Sequence, residues 1–321
     1  MQFALLNEAN NSDRLTGVKL GVLDVGSNTI NLQMIDAHHG APPTATSGYK
    51  IDLRLTEYLD DENQISKEGL KLLIRSIKQA LKETGANSAD ELLAFATSAI
   101  REASNSVEVL EAVNRETSVE LQVLSGIEEA RFTFLAARRW FGWSAGDLLV
   151  IDIGGGSLEI ARGTDEEPTY MNSLMLGASR LTREYLRNDP YSQSSVAELT
   201  SHIKLELLPF YSLKHTSGAK NGVGTSKTLR TLAKIAKSYS PGHGNNLTVA
   251  ALEEIVPKIA SMTDDERKSL PGISPVRAPQ ILAGGIVALE AMKALGLSEL
   301  QICPWALREG IVLQRLDWIN R

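Results

Sequence analysis

The sequence predicts an α/β protein built from two related domains that face each other. Segments typical of strands alternate with segments typical of helices along the 321 residues, which favours α/β layers. In addition, the stretch "GVLDVGSNTI" at 21–30 returns as a near copy, "VIDIGGGSLEI", at 150–160. A spacing of about 130 residues is the size of a domain, so the pattern indicates a duplicated domain and not a solenoid of short repeats.

The first half of the chain is predicted to fold as three strands followed by alternating helices and strands. The three strands are "VKLGVLDVG", "TINLQMIDA" and "ATSGYKIDLRL". A helix follows over "SKEGLKLLIRSIKQALKETG", where Ser66 is placed to cap the start and Gly85 to end it. Two further segments, "ELLAFATSAI" and "SVELQVLSGIEEARFTFLAARRWFG", each read as a strand that leads into a helix, and the second helix ends near Gly142.

The same pattern restarts after this point. Three strands are predicted over "DLLVIDIGG", "SLEIARG" and "TYMNSLMLG", and helices over 178–188 and 194–209. A short strand, a glycine turn and a helix follow in "KNGVGTSKTLRTLAKIAKSY". The remaining segments read as two helices, a short strand and a last helix: "TVAALEEIVPKIASM", "APQILAGGIVALEAMKALG", "LQIC" and "WALREGIVLQRLDWI".

These patterns divide the chain into a tail and two domains. We predict an N-terminal tail at 1–17, a first domain at 18–142 and a second domain at 143–321, with the last helix packing back on the first domain. A loop with flanking glycines at 141–147 is the predicted hinge between the domains.

The amino-acid composition argues against some classes of function. The chain is 43% hydrophobic and 22% charged, with a net charge of −6, which argues against a general nucleic-acid binder or a polybasic membrane binder. A polyanion could still bind through a local basic pocket or divalent cations. The sequence has no apolar run near 18 residues and no signal-peptide pattern, so we expect a cytoplasmic protein. The lone Cys303 excludes an internal disulfide and reads as a buried thiol.

The repeated turn is typical of a phosphate-binding site. Each copy has an aspartate near a strand end, Asp24 or Asp152, followed by small residues whose backbone can approach a ligand closely. Successive N–H groups in such a turn form an anion-binding concavity, and Thr29 and Ser157 add hydroxyl donors. The aspartates would repel phosphate, so they are better explained as ligands of a divalent cation, held directly or through water.

Helix starts supply further candidate residues. In "FATSAIRE" the helix is capped by Thr97 or Ser98 and Arg101 lies in its first turn, where a bound anion would offset the unfavourable helix dipole. In "LSGIEEARF" Ser125 and Glu128 fit a capping box. Glu129 then has no capping role and is free to act as a general base on water.

Seven blocks together resemble one family. They are "LDVGSNTINLQMID", "FATSAIREASN", "LSGIEEARFTFLAA", "VIDIGGGSLEIARG", "LGASRLTREYL", "GVGTSKTLRTLA" and "WALREGI". In order and over residues 18–313, they resemble the exopolyphosphatase/guanosine pentaphosphate phosphohydrolase (Ppx/GppA) family. The resemblance implies the fold of the superfamily of actin, sugar kinases and heat-shock chaperone ATPases, in which two ribonuclease-H-like α/β domains clasp the substrate in a cleft.

The resemblance also implies roles for individual residues. Glu129 would be the catalytic base, and Asp152 and Glu159 would hold a metal ion, Mg²⁺, with Asp24 nearby. The implied phosphate-binding residues are Ser27, Asn28, Thr29, Arg101, Gly154, Gly155, Gly156, Ser157 and Arg308.

The implied activity is hydrolysis of a terminal phosphoanhydride bond. The leading hypothesis is an exopolyphosphatase that releases orthophosphate and favours short chains, because the sequence ends after the two-domain core. The same site could remove the 5′ γ-phosphate of guanosine pentaphosphate, which is the alternative. A more distant alternative is an ATP-dependent kinase of the same superfamily, and a third is a sensor that binds without catalysis. Only the resemblance supports a homodimer.

Two motifs stay open at this stage. The "GVGTSK" block differs from the usual form in the family, so Thr225 and Lys227 receive no fixed role. Gly284 and Gly285 could contact a nucleotide, as in ATP-using relatives, or allow close packing of a helix.

Overall fold

The computed structural model describes residues 17–38, 43–215, 221–239 and 245–319. The predicted tail at 1–17 lies outside the described residues except for its last position. The described part of the first half contains five strands and four α-helices: β1 (Val18–Val25), β2 (Thr29–Ala37), β3 (Ala45–Asp52), α1 (Lys67–Thr84), β4 (Glu91–Ala96), α2 (Ser98–Arg101), α3 (Ser106–Thr117), β5 (Gln122–Val123) and α4 (Gly126–Phe141).

The second half repeats this plan with more helices. Its described elements are β6 (Leu148–Ile153), β7 (Leu158–Gly163), β8 (Tyr170–Leu174), α5 (Ala178–Tyr185), α6 (Gln193–Leu207), β9 (Asn221–Gly224), α7 (Ser226–Tyr239), β10 (Leu247–Thr248), α8 (Val249–Ser261), α9 (Asp264–Lys268), α10 (Ile281–Leu295), β11 (Glu299–Ile302) and α11 (Leu307–Ile319). Short 3₁₀ turns cover Leu55–Tyr58, Ala86–Ser88, Trp143–Ala145 and Leu208–His215.

The two sheets have the same strand order. The first runs β3-β2-β1-β4-β5, and the second runs β8-β7-β6-β9-β11 with β10 added at the edge. In each, the first three strands form an antiparallel meander, and the next two join in parallel. This order confirms the predicted fold class: two ribonuclease-H-like α/β units with a cleft between them.

Local sequence signals place most element boundaries. Ser66 accepts a hydrogen bond from the N–H of Gly69 at the start of α1, and Gly85 ends that helix with φ 65°. Both predictions are confirmed. The sequence interpretation missed α3, although Val109, Ala112 and Val113 give it a buried stripe at helical spacing. It also missed α9 and the two-residue strand β10, which are too short to show a period.

Helices α4 and α11 lie where the two halves meet. Helix α4 contacts β6, β7 and β8 of the second sheet and packs along α11. Val312 and Leu316 of α11 are buried against Leu20, Val22 and Phe95 of the first sheet. The last helix of the sequence therefore packs on the first sheet, and residues from both ends of the chain reach the same cleft.

Arg138 stabilises the segment that connects the two halves of the chain. Its side chain is 1% exposed, and its guanidinium donates to the carbonyl oxygens of Gly142 (3.3 Å), Gly146 (2.6 Å) and Gly163 (2.9 Å). The carbonyls of Gly142 and Gly146, in the predicted hinge at 141–147, are thus hydrogen-bonded to a buried guanidinium of α4, which also binds a carbonyl of β7.

Candidate active site

The repeated motif forms the same turn in both halves. In turn 1 (residues 26–29) the N–H of Gly26 donates to the carbonyl of Thr29 at 3.0 Å. In turn 2 (residues 154–157) the N–H of Gly154 donates to the carbonyl of Ser157 at 2.9 Å. The sequence repeat is therefore a repeat of backbone geometry as well.

Backbone donors remain open in both turns. Four N–H groups donate to no acceptor within the described part of the chain, those of Ser27, Asn28, Gly155 and Gly156. Unpaired, closely spaced N–H groups form a concavity that suits a phosphate oxygen. This availability supports the predicted phosphate-binding role of the turns.

The two turns meet face to face. A Cβ atom at Gly155 would lie 2.8 Å from Cβ of Ser27 and 2.9 Å from Nδ2 of Asn28. A Cβ atom at Gly156 would overlap the hydroxyl of Ser98, which lies 3.1 Å from the hydroxyl of Ser27. Glycine is required here by close approach of the two halves and not by a positive φ.

The side chain of Asn28 links the halves. Its Nδ2 donates to Oε1 of Gln280 at 3.1 Å, and its Oδ1 accepts from the hydroxyl of Ser179 at 3.0 Å. Asn28 is 6% exposed. The sequence predicts Asn28 as a phosphate ligand; in this structure its side-chain oxygen and one amide hydrogen are engaged with the second half, and its backbone N–H is open to that role. Thr29, the first residue of β2, and Ser157, directly before β7, are the last residues of turns 1 and 2.

Glu129 lies inside the cleft at the start of α4. Oγ of Ser125 accepts from the N–H of Glu128 at 3.2 Å, and Oε2 of Glu128 accepts from the N–H of Ser125 at 2.8 Å, so the predicted capping box is confirmed. Glu129 takes no part in this cap and is 8% exposed. A buried carboxylate that is not needed to cap the helix fits the predicted role of a general base.

Arg101 is paired with Glu129. Its Nη1 donates to Oε1 of Glu129 and, at 2.8 Å, to the carbonyl of Leu124, while Nη2 lies 3.3 Å from Oε1 of Glu102. Thr97 is the N-cap residue of the single-turn helix α2, as predicted, but its side chain makes no capping hydrogen bond. Carboxylates therefore contribute most of the charge balance around Arg101. The guanidinium therefore orients the candidate base.

Arg308 joins the cleft from the far end of the sequence. Its Nε lies 3.7 Å from Oδ2 of Asp24, and its buried Nη1 has no hydrogen-bond partner among the described residues. A buried, unsatisfied guanidinium N–H is costly unless a ligand completes it. This supports the predicted contact between Arg308 and a phosphate.

The predicted metal-binding carboxylates occupy equivalent places in the two sheets. Asp24 pairs with Asn31 between β1 and β2, and Asp152 pairs with Glu159 between β6 and β7. Thr225 donates to Oδ2 of Asp152, and the hydroxyl of Ser173 donates to Oε1 of Glu159 at 2.9 Å. The second copy thus has a carboxylate where the first has an amide.

Burial raises the pKa of the four candidate carboxyls of the site, those of Asp24, Glu129, Asp152 and Glu159. It raises the pKa of Asp24 to about 6 against the opposing charge of Arg308. It raises the pKa of Glu129 to about 7, against Arg101 and with the aid of nearby Asp152. The pKa of Glu159 is raised well above its usual range by burial and by the charges of Glu129 and Asp152. Carboxyl groups that lie close together with few cationic side chains nearby tend to hold their protons unless a metal cation binds.

These residues fit a magnesium ion that is only partly held by protein. Within residues 17–38, 43–215, 221–239 and 245–319, no three or more His, Cys, Asp or Glu side chains are grouped to hold a metal by themselves. The hard oxygen donors Asp24, Asp152 and Glu159 are the type that Mg²⁺ prefers. Magnesium commonly uses one or two carboxylates and takes its other ligands from water and substrate phosphates.

Sequence reasoning missed an ion pair across the cleft. Arg180 donates to Oε2 of Glu102 and to the carbonyl of Gly156 at 3.1 Å. The block "LGASRLTREYL" pointed to this segment, but nothing local marks Glu102 as its partner. Arg183, further along α5, donates to the carbonyl of Thr56 at 3.1 Å and so makes a second contact between the two halves.

The two open motifs have structural explanations here. Thr225 holds Asp152, as described above. A Cβ atom at Gly284 would lie 2.5 Å from Cγ2 of Thr228, and one at Gly285 would lie 3.1 Å from Cγ2 of Val256. Both glycines therefore allow α10 to pack closely on α7 and α8.

Comparison with known proteins settles the family. The model of the Ppx/GppA phosphatase family matches residues 34–318. The chain belongs to this family. Over 305 residues it is 47% identical to "Exopolyphosphatase 1" of Mycobacterium tuberculosis, covering 94% of this chain and 89% of that protein. A more distant relative is the "Guanosine-5'-triphosphate,3'-diphosphate pyrophosphatase" of Aeromonas hydrophila, 25% identical over 293 residues, covering 90% of this chain and 58% of that protein.

Solved structures agree with the fold. This Ppx/GppA chain resembles the crystal structure of an exopolyphosphatase from Cytophaga hutchinsonii with a TM-score of 0.84 at 21% identity, covering 94% of this chain and 98% of that one. Of the helices that the structure describes, none is both long and apolar enough to cross a membrane.

Proposed function

We propose that this protein is an exopolyphosphatase, which hydrolyses the terminal phosphoanhydride bond of inorganic polyphosphate and releases orthophosphate. The observation that carries the proposal is the ion pair between the buried Glu129 and the partly buried Arg101, beside two facing turns with open backbone N–H groups. The 47% identity to a protein named Exopolyphosphatase 1 supports it. The proposed catalytic base is Glu129.

The reaction needs little covalent help from the protein. A water oxygen attacks the terminal phosphorus in line with the bridging oxygen, the bond from phosphorus to that bridging oxygen breaks, and Glu129 takes the proton of the water. The N–H groups of turns 1 and 2 hold the phosphate oxygens, and Arg308 reaches the same end of the cleft. Arg101 keeps Glu129 ionised and aimed at the water.

We propose that Mg²⁺ is held by Asp152 and Glu159, with Asp24 nearby, together with waters and substrate phosphates. When bound, Mg²⁺ supplies positive charge that neutralises the phosphate oxygens. Thr225 and Ser173 orient the two carboxylates for this task.

Polyphosphate is a better-supported substrate than guanosine pentaphosphate. The relative named for the nucleotide is 25% identical and extends well beyond the part that this chain matches. The domain boundaries at 18–142 and 143–321, the homodimer, the cytoplasmic location and the preference for short chains stay predictions of the sequence.

The test is phosphate release by the purified protein with Mg²⁺. Tripolyphosphate, long-chain polyphosphate, guanosine pentaphosphate and ATP are assayed in parallel. Glu129→Gln is expected to lower kcat by about 10² to 10⁴, the usual contribution of a general base. Glu128→Gln is the matched control, because glutamine also completes a capping box and the charge change is the same.

Two results would overturn the proposal. One is release of phosphate from guanosine pentaphosphate alone, which would assign the site to the nucleotide. The other is full activity in the Glu129→Gln variant, which would remove the proposed base.

A further inference from the structure

A series of alternating charges crosses the cleft from the candidate base to turn 2. Its first link is the pair of Glu129 and Arg101. Nη2 of Arg101 also lies 3.3 Å from Oε1 of Glu102, and Oε2 of Glu102 accepts from Nη2 of Arg180. Nε of Arg180 donates to the carbonyl of Gly156 in turn 2 at 3.1 Å. We call Glu129, Arg101, Glu102 and Arg180 the ion-pair network.

The link between Glu102 and Arg180 joins the two halves of the protein. Glu102 directly follows α2 in the first half, and Arg180 belongs to α5 in the second. Their side chains are only 15% and 18% exposed, so the pair is better fixed than an ion pair between two long side chains in solvent. Both line a pocket with about 260 Å³ of empty volume whose walls come from both halves. Their contact therefore bridges the two walls.

Helix α5 holds turn 2 in place. Backbone N–H groups at the start of α5 donate to the carbonyls of Gly154 and Gly155 at 2.9–3.0 Å, and the side chain of Arg180 binds the carbonyl of Gly156. A Cβ atom at Gly177 would lie 2.1 Å from the carbonyl carbon of Gly156, so the backbone ahead of α5 packs directly on this peptide. Three successive carbonyls of turn 2 are thus bound by α5.

These contacts set the direction of the N–H groups of turn 2. In a trans peptide the N–H group points opposite to the carbonyl of the same peptide unit. Because the carbonyls of Gly154 and Gly155 point at α5, the open N–H groups of Gly155 and Gly156 point away from it, toward the place for phosphate. A movement of α5 relative to the first half would therefore move the phosphate relative to Glu129.

The contact at Glu102 is the one that leads from α5 to the base. Two other contacts of α5 with the first half, at Asn28 and Thr56, are described above. Glu102 differs from them because it shares Arg101 with Glu129. The ion-pair network thus connects the phosphate-binding turn of one half with the candidate base of the other.

We propose that Arg180 and Glu102 are positioning residues that set the distance between Glu129 and the phosphate held by turn 2. This inference rests on the proposed function. Both residues act through other groups, Arg101 on one side and the carbonyl of Gly156 on the other. Loss of their contact lets turn 2 shift relative to the base, and a misplacement of about 1 Å costs on the order of 10² in rate. The N–H groups still bind phosphate, so kcat falls more than affinity.

The test is a double-mutant cycle. Glu102→Gln, Arg180→Gln and the double variant are compared with wild type in phosphate release from tripolyphosphate with Mg²⁺, and kcat and KM are measured between pH 6 and 9. Glu184→Gln is the matched control, because Glu184 also pairs with Arg180, at 3.5 Å, but lies on α5 itself, and the charge change is the same. Urea unfolding of each variant checks that it is folded. Arg180→Lys retains the positive charge but has no planar fork to reach two acceptors at once.

We expect each single variant to lower kcat about 30-fold or more, with KM changed by less than about threefold. The double variant should lose little more than either single variant, because all three remove the same link. Arg180→Lys should recover part of kcat, and Glu184→Gln should keep kcat within about twofold of wild type. Glu102→Gln removes a negative charge and Arg180→Gln a positive one, so electrostatic action on Glu129 would shift the two pH profiles in opposite directions. Equal losses at every pH indicate geometry.

Four results would overturn the positioning role while the proposed function stands. One is an unchanged kcat in both single variants. A second is losses that multiply in the double variant, which would mean that the two residues act separately. A third is a raised KM in Arg180→Gln alone, which would make Arg180 a phosphate ligand. The last is an equal loss in the Glu184→Gln control.

Failure of the proposed function gives a different result. If wild type releases phosphate from guanosine pentaphosphate alone, the same cycle with that substrate decides on the positioning residues. If wild type hydrolyses neither polyphosphate, guanosine pentaphosphate nor ATP, urea unfolding of Arg180→Gln, Glu129→Gln and their double variant decides. Additive losses of stability would overturn the connection, and a double variant that loses less than the sum supports it, since Arg180 and Glu129 are joined through the ion-pair network.

Discussion

Replacing Arg101 tests whether it acts through Glu129. The Glu129 pKa is about 7 even though Arg101 opposes the effect of burial. A charge pair about 4 Å apart is worth about 4 kcal/mol at an effective dielectric constant of 20, which equals about 3 pKa units. Arg101 is 20% exposed, so solvent screening reduces this to about 2 units. In Arg101→Gln the Glu129 pKa should therefore rise to about 9.

The effect on activity follows from the ionised fraction of Glu129. At pH 7.5 a carboxyl of pKa 7 is about three-quarters ionised, whereas one of pKa 9 is about 3% ionised. Arg101→Gln should therefore lose about 25-fold in kcat at pH 7.5 from this cause alone. The rising limb of its profile of kcat against pH should move up by about 2 units.

The assay is phosphate release from polyphosphate between pH 5.5 and 9.5 with saturating Mg²⁺. Alkaline pH should restore much of the activity of Arg101→Gln. A loss of activity with an unshifted profile would refute the reasoning, because it would mean that Arg101 contacts only phosphate. Arg131→Gln is the control, since Arg131 pairs with the exposed Glu167 on the opposite side of α4's first turns.

Three further predictions follow from buried groups. Asp24 and Glu129 have a folded pKa above the unfolded value, so the folded state binds their protons more tightly. The free energy of unfolding of the metal-free protein should accordingly fall as pH rises from about 4 to about 7, by about 3 kcal/mol for each group. Mg²⁺ should restore part of it; a melting temperature in EDTA that is flat or rising from pH 5 to 7.5 would contradict this. Cys303 is 1% exposed and burial raises its thiol pKa to about 12, so Ellman's reagent at pH 8 should label it only after unfolding in guanidinium, and rapid stoichiometric labelling of the native protein would count against the prediction. Arg138→Met leaves three carbonyls without their donor and should lower the free energy of unfolding in urea by about 3 kcal/mol or more; a loss below about 1 kcal/mol would show that the connection does not depend on this side chain.

The sequence alone predicted the duplicated α/β architecture. The repeated aspartate–glycine turn, the strand and helix periods and the caps at Ser66 and Ser125 act over a few neighbouring residues, so they can be read without knowledge of the fold. The same is true of Glu129, because a capping box assigns Glu128 to structure and leaves its neighbour free. Helix α3 was missed although its buried stripe and a favoured N-cap residue type, Asn105, were both present in the sequence; in the structure Asn105 makes no side-chain capping bond.

Only the tertiary structure decided the partners of the site residues. Arg101 meets Glu129 across 28 residues of sequence, and Asn28 meets Gln280 across 252. Arg308 reaches Asp24 because α11 packs on the first sheet. Such contacts depend on how two separate sheets pack together, and no local pattern of residues encodes a distance between surfaces that the chain brings together only on folding.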